Sequence, residues 1–199
     1  MVQKKIVLAT HNQHKQHEMN RVLSSLGITI VGLDDFPQIG DIEETGKTLL
    51  ENAFIKARKV FELTGIPSIA DDTGLEVNAL DGAPGLFSAR YAGENPTYED
   101  NINKLMLALE GVPKEKRNAK FRTIIAFVDF NKELHSEGIA EGVITEIPEG
   151  RDGFGYDPIF KPKNFNKTYA EMDIEQKNKI SHRGRALKKM KKLLINYLK

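Results

Sequence analysis

The chain has 199 residues and a mass of 22.4 kDa, enough for one domain, alone or with a lobed extension, whose core needs neither disulfide nor structural metal. It has no cysteine, which excludes disulfide scaffolds, thiolate metal sites and cysteine nucleophiles and fits a reducing cytoplasm. Its 29 basic and 28 acidic residues give a formal charge of +1, yet nine of the bases and none of the acids lie in residues 176–199, leaving 20 bases against 28 acids elsewhere.

In chain order, residues 5–9 form an apolar run that reads as a strand; behind Lys4 and Lys5, it is too short for a signal-peptide core. A polar loop, 10–15, leads into a helix whose face is Met19, Val22, Leu23 and Leu26, stopped by Gly27, and 28–31 reads as a second strand. Thr48 and Glu51 have the spacing of a capping box, and Leu50, Ala53, Ala57, Val60 and Phe61 mark a helical stripe up to Thr64, with Gly65 as its stop. Residues 66–70 read as a buried strand ending in Asp71-Asp72-Thr73-Gly74, and 75–77 as a further short strand before a Gly/Pro-rich loop, 81–85. Thr97 starts a third helix carrying Ile102, Leu105, Met106 and Leu109. Strands at 119–130 and 133–145 follow, joined as a hairpin by a turn at Asn131-Lys132. A glycine-rich loop, 149–157, precedes Pro158-Ile159-Phe160. The basic terminal helix has Leu187, Met190, Leu194 and Tyr197 on one face, spacing suited to packing on the body. The expected fold class is α/β, one domain over 1–199, with a mixed sheet and flanking helices.

Several motifs invite chemistry. Gly46-Lys47-Thr48 fails as a P-loop: five residues instead of four separate Gly40 from Gly46, and Asp41, Glu43 and Glu44 would repel phosphate oxygens. Thr48 is better read as a helix cap. His11, His14 and His17 are spaced by three, but no fourth metal ligand accompanies them, so a solvated helix entry is the plainer reading. The strand-to-helix loop 10–15 can meet an anion through backbone N–H groups and Lys15; the plainer reading is capping by Thr10 and Asn12. Asp71 and Asp72, at the expected C-terminal end of a strand, repel each other unless a cation or proton intervenes, and with Glu43 and Glu44 they offer the hard oxygens that suit Mg²⁺ and phosphate. The loop 153–158 combines backbone freedom with an aromatic face for stacking, and Lys177, Ser181, His182 and Arg183 supply donors.

Taken in order, these segments resemble the inosine/xanthosine triphosphate pyrophosphatase family. The resemblance rests on Leu8-Ala9-Thr10-His11-Asn12 with Lys15, Glu43-Glu44-Thr45-Gly46, Glu51-Asn52-Ala53 with Lys56, and Ile69 through Leu75. Gly82-Ala83-Pro84-Gly85, Ser88-Ala89-Arg90-Tyr91, Gly153 through Phe160, and Ile180-Ser181-His182-Arg183 complete it. It implies a mixed α/β fold with two lobes around a nucleotide-binding cleft, a cytoplasmic homodimer, and Mg²⁺-dependent cleavage of non-standard purine triphosphates to a monophosphate and pyrophosphate. It implies a phosphate-binding loop at Thr10, His11, Asn12, Gln13, His14 and Lys15, with Lys56 a further phosphate-side residue. Glu43 and Asp72 match the metal ligands, Glu44 being a close alternative to Glu43, and Asp72, supported by Asp71, matches the proton acceptor. Thr73 matches a substrate contact that is often serine; Phe154, Gly155, Tyr156, Asp157, Lys177, His182 and Arg183 match the nucleotide-contacting set. Arg151 and Asp152 stand where small residues are usual.

On this resemblance Lys15, Lys56 and Lys177 would stabilise the leaving pyrophosphate, while Phe154 stacks on the base and His182 and Arg183 read its 6-oxo edge. The alternatives are a pyrophosphatase for other modified nucleotides, a non-catalytic nucleotide sensor, and a nucleic-acid-binding module using the basic terminus. The acid-rich body argues against the last. No apolar run approaches the roughly 18 residues of a membrane span, so neither nucleic acid nor membrane is expected as a partner.

Overall fold

The computed structural model describes residues 5–198; Lys4, flanking the first strand, and Lys199, the last residue of the basic segment, lie outside the described residues. The first strand, β1 (Lys5–Leu8), is followed by helix α1 (Gln13–Leu23), a 3-10 turn closed by Gly27 in the left-handed region, and strand β2 (Thr29–Val31). Helix α2 (Leu49–Thr64) begins at Thr48, whose Oγ1 accepts from the Glu51 N–H at 3.1 Å, and ends at Gly65 with φ +65°. The expected capping box forms by half: the Glu51 carboxylate accepts from the Lys47 N–H at 2.6 Å instead of reaching Thr48. The buried stripe of α2 is Leu49, Asn52, Ala53, Lys56, Ala57 and Val60. Leu50, placed on that stripe by spacing alone, is exposed, and two polar residues occupy the stripe in its stead.

The strands expected at 66–70 and 75–77 are one strand, β3 (Ser68–Val77). Asp71 and Asp72 therefore lie inside a strand and not at its end. Strand β4 (Pro84–Gly85), helix α3 (Tyr98–Ala108), strands β5 (Asn118–Val128) and β6 (Glu133–Ile144), strand β7 (Phe160–Pro162) and helices α4 (Ile174–Ile180) and α5 (His182–Leu198) complete the order. Thr97 and Asp100 form a full capping box on α3. The turn after β5 closes one residue earlier than expected, with Asp129 N–H donating to the Lys132 carbonyl at 3.0 Å. The basic terminal helix is two helices, because Ser181 adopts an extended conformation (φ −68°, ψ 159°) between α4 and α5.

The sheet runs β2-β1-β3-β5-β6-β7, with β4 paired to β3. It is mixed: β1 is parallel to β2 (Ile6 opposite Ile30) and to β3 (Leu8 opposite Ile69), whereas β4 is antiparallel to β3 and β7 to β6. The described chain divides into two compact units. The first draws on residues up to Asp72, on Thr123–Gly138 and on Arg183 onward; the second draws on Thr73–Arg122 and Ile139–His182. Each has its own core. In the first, Ile6, Leu8, Met19, Leu23, Ile69, Ile125 and Phe127 pack with Ala186, Leu187, Met190 and Leu194 of α5. In the second, Leu75, Val77, Leu105, Leu109, Phe121, Ile144, Phe160 and Tyr169 pack together. The apolar face foreseen for α5 is thus buried, and Tyr197 packs beside Phe127 at 5.1 Å and donates to the Asp129 carboxylate.

Candidate active site

The first unit gathers the charged residues. Between β1 and α1 the chain is locked locally: the Thr10 hydroxyl accepts from the Asn12 N–H, Asn12 Oδ1 caps α1 by accepting from the Lys15 N–H, each at 3.1 Å, and the Gln16 amide donates to the Thr10 carbonyl at 2.9 Å. The plain capping role of Thr10 and Asn12 is therefore filled, and the helix start still presents N–H groups that favour an anion. His11, Gln13 and His14 are exposed. Gln13 donates to Asp34 at 2.8 Å, and His11 lies 3.9 Å from the same carboxylate. Lys15 turns inward, its ammonium 3.2 Å from Asp71.

Successive side chains of a strand point to opposite faces, so adjacent Asp71 and Asp72 acquire separate partners. Asp71 meets Lys15 and accepts from both Nε and Nη2 of Arg183 at 3.2 and 3.1 Å. Arg183 also donates to Glu18 at 2.6 Å and is only 2 % exposed. Asp72 lies 3.6 Å from the Lys56 ammonium, which bonds to Glu44 at 2.5 Å. Four carboxylates thus share three cations, and protonation equilibria follow. Burial opposes the Asp71 carboxylate, but Lys15, Arg183 and Lys56 outweigh it and hold Asp71 well below the usual range. Burial pushes Asp72 up, and the negative charges of Glu44 and Asp71 prevail with it against Lys56 and Lys15. Burial lowers Lys15 despite Asp71. Burial also works against the Lys56 ammonium, but Asp72, Glu44 and Asp71 raise it above its ordinary value.

Glu44 and Glu43 part company. Glu44 reaches Lys56, whereas Glu43 is exposed and lines a groove of about 550 Å³ with Asp41, Thr45, Arg58, Lys59 and Glu62. Among the described residues no set of three His, Asp or Glu side chains is arranged to hold a metal ion. Mg²⁺ does not need such a set, since it commonly takes one or two carboxylates together with substrate phosphates. Glu44 and Asp72 fit that role: both are hard oxygen donors, and they already share one cation, the Lys56 ammonium.

The second unit gathers the aromatic residues. Gly153 takes φ +79°, and a Cβ there would collide with the Asp157 carboxylate. That carboxylate accepts from the Phe154 N–H at 2.8 Å and from Lys177 at 2.6 Å, fixing the loop. The Lys177 ammonium stands 4.6 Å from the Phe154 ring centroid, a cation–π contact that sets the ring. Tyr98, 45 % exposed at the start of α3, has its ring 6.1 Å from Phe154. Gly155 is half-buried with φ +61°. Tyr156 is buried and its hydroxyl donates to the Ser88 carbonyl at 2.9 Å, so it anchors the loop to the Ser88-Ala89-Arg90-Tyr91 segment. His182 stacks on Phe121 at 4.4 Å, and Thr73 is half-buried on β3.

Of the sequence-derived residues, Lys15, Lys56, Asp71, Asp72 and Arg183 come together in the first unit, and Phe154, Asp157 and Lys177 in the second. Glu18, Tyr98 and Phe121 escaped sequence reasoning. Glu18 had a signal: it is an acid beside Met19 on the apolar side of α1. Phe121 had none beyond strand alternation.

The model of the Ham1 family matches residues 6–193. The chain is 51 % identical to the dITP/XTP pyrophosphatase of Thermoanaerobacter pseudethanolicus over 98 % of both chains. It is 46 % identical to that of Vibrio cholerae over 96 % of both. Among solved structures it resembles a HAM1 protein from Coxiella burnetii (TM-score 0.88, 44 % identity, covering 97 % of this chain and 99 % of that one). It also resembles a dITP/XTP pyrophosphatase from Mycobacterium abscessus (TM-score 0.75, 42 % identity, covering 94 % and 98 %). With a family match spanning nearly its whole length, and relatives near half identity that share its mixed α/β fold, the chain belongs to the Ham1 family.

Proposed function

We propose that this chain is a nucleoside triphosphate pyrophosphatase that hydrolyses inosine, deoxyinosine and xanthosine triphosphates to the monophosphate and pyrophosphate, cleansing the nucleotide pool before such bases enter DNA or RNA. The observation that carries this reading is the Glu44–Lys56–Asp72 cluster, in which the two carboxylates share one ammonium. The names of the relatives supply the substrate class. Water attacks the α-phosphorus, its proton passes to Asp72, and the bond from that phosphorus to the α,β-bridging oxygen breaks with the electron pair leaving on pyrophosphate. Lys15 and Lys56 face the developing negative charge. Mg²⁺, held by Glu44 and Asp72, supplies charge neutralisation on the phosphate oxygens when bound. The resemblance pointed first to Glu43; contact with Lys56 favours Glu44.

Thr10, Asn12 and the α1 N-terminus take the phosphates, with exposed His11, Gln13 and His14 at the edge of this set. Phe154 stacks on the purine, steadied by Lys177 and Asp157. Thr73, Gly155 and His182 complete the nucleotide contacts. Tyr156 serves by holding the loop, and Arg183 by holding Asp71. A 6-amino base would set a donor where the site expects an acceptor, a mismatch of about 1–3 kcal/mol. The whole chain acts as one catalytic domain, as a cytoplasmic homodimer, in keeping with the resemblance and with a family match running from 6 to 193. Among the described residues no helix is long and apolar enough to cross a membrane.

A nucleotide panel with separate detection of pyrophosphate and phosphate tests the reading. Pyrophosphate release from inosine triphosphate, well above that from adenosine triphosphate and dependent on Mg²⁺, is the expected result. Phosphate release alone would overturn attack at the α-phosphorus, and equal turnover of both purines would remove the 6-oxo preference.

A further inference from the structure

The reaction above uses Lys56 and Glu44 but assigns nothing to Asn52, a fully buried polar residue on the same stripe of α2. Its Oδ1 accepts from the Gly46 N–H at 2.8 Å. A Cβ on Gly46 would come within 2.6 Å of that oxygen and 2.7 Å of Glu51 Cβ, so the loop lies against the helix at a distance that only glycine permits. The next residue, Lys47, donates its N–H to Glu51 at 2.6 Å, and two residues earlier Glu44 reaches Lys56 at 2.5 Å. The segment 44–47 is therefore fastened to α2 at Glu51, Asn52 and Lys56.

These fastenings differ in kind. The Glu44–Lys56 contact is exchangeable: a cation at Glu44, or a phosphate at Lys56, competes for one of its partners. The Glu51 contact is exposed and therefore weakened by water. The Asn52 contact is neutral and partly buried, with Asn52 itself fully buried, and as an uncharged bond to a backbone N–H it offers neither a cation nor a phosphate a charged partner to compete for. Its amide orientation is also forced, because only the oxygen can accept from an N–H. The Nδ2 end has no hydrogen-bond partner among the described residues, an arrangement that costs stability.

We propose that Asn52 is a positioning residue that holds Glu44 in place for the cation while Lys56 exchanges partners. This rests on reading Glu44 and Asp72 as the cation-holding pair. The test compares Asn52→Ala, Glu44→Gln and the double variant in Mg²⁺ titrations of inosine triphosphate hydrolysis. Amide hydrogen exchange at Gly46 is measured in parallel without metal or substrate. Asn52→Ala is expected to raise the Mg²⁺ concentration for half-maximal turnover about tenfold, the scale on which residues that orient metal ligands act, with turnover at saturating Mg²⁺ close to wild type. The double variant is expected to match Glu44→Gln, because the two changes act through one carboxylate. Gly46 exchange should rise in Asn52→Ala and stay slow in Asn52→Asp, which keeps the acceptor. Additive losses, unchanged Mg²⁺ dependence or unchanged Gly46 exchange in Asn52→Ala would overturn the proposal. Unaltered Mg²⁺ activation in Glu44→Gln would instead remove Glu44 as a ligand, and the inference with it. If Asn52→Ala does not fold, the exposed Glu51→Ala takes its place in the same cycle, with a smaller rise of the same sign expected and additivity again decisive.

Discussion

Asp71 and Asp72 are neighbours in sequence and opposites in environment. Asp71 is clamped by Arg183 and Lys15 and stays ionised; at Asp72 burial, joined by the Glu44 and Asp71 charges, outweighs Lys56 and Lys15, and it is the easier to protonate. Asp71→Asn should cost about 3–5 kcal/mol at pH 7, because it removes one partner from a buried ionic cluster. A carboxyl group whose folded value is depressed contributes stability that is complete above its unfolded value, about 3.9, and fades as pH falls through the folded value. The difference between wild type and Asp71→Asn in urea unfolding should therefore narrow below pH 4; a difference that persists undiminished in acid would contradict the clamp. Asp72→Asn should fold normally and lose at least about a hundredfold in turnover of inosine triphosphate, the lower range for a general base. Well-folded variant protein with wild-type turnover would dismiss Asp72 as the base. The acidic pair itself was legible in the sequence. Its division between two sets of cations was not, since that depends on β3 continuing through 71–74 and on an arginine 112 residues away.

Elements explain why these side chains hold still. The α2 stripe carries Asn52 and Lys56 among apolar neighbours, so packing of the helix places both. Spacing, the Thr48 cap and the Gly65 stop revealed the helix, but not its facing: Leu50 and Leu49 compete for the stripe, and only the body of the protein chooses between them. In the loop 149–157, glycine is required where φ reaches +79° at Gly153 and a side chain would strike Asp157. Gly153→Ala should cost about 1–3 kcal/mol through backbone strain, and by displacing Asp157 and Phe154 it should raise KM for inosine triphosphate more than it lowers kcat. A change in kcat alone would contradict placement of this loop at the base. The full capping box of Thr97 and Asp100 makes Thr97→Ala about 1 kcal/mol less stable by thermal unfolding.

At the scale of the whole molecule, the balance of +1 resolves into an acid-rich body and a basic terminus with two faces. On α5, Ala186, Leu187, Met190 and Leu194 enter the core of the first unit while Arg185, Lys188, Lys189 and Lys192 face water. Lys188→Glu with Lys192→Glu should change stability by no more than about 0.5 kcal/mol per site and leave nucleotide turnover intact; a large loss of turnover would reopen a functional role for the basic face. The chain's own pattern determined the α/β class, most elements and the ordered motif set, because caps, periodicity and glycine stops act over a few residues. Tertiary structure alone decided that Glu44 and not Glu43 meets Lys56, that Lys177 serves Phe154 and Asp157, and that Arg183 turns inward. The last contact spans 165 residues to Glu18, a separation over which no local pattern operates and only the packing of elements brings charge to charge.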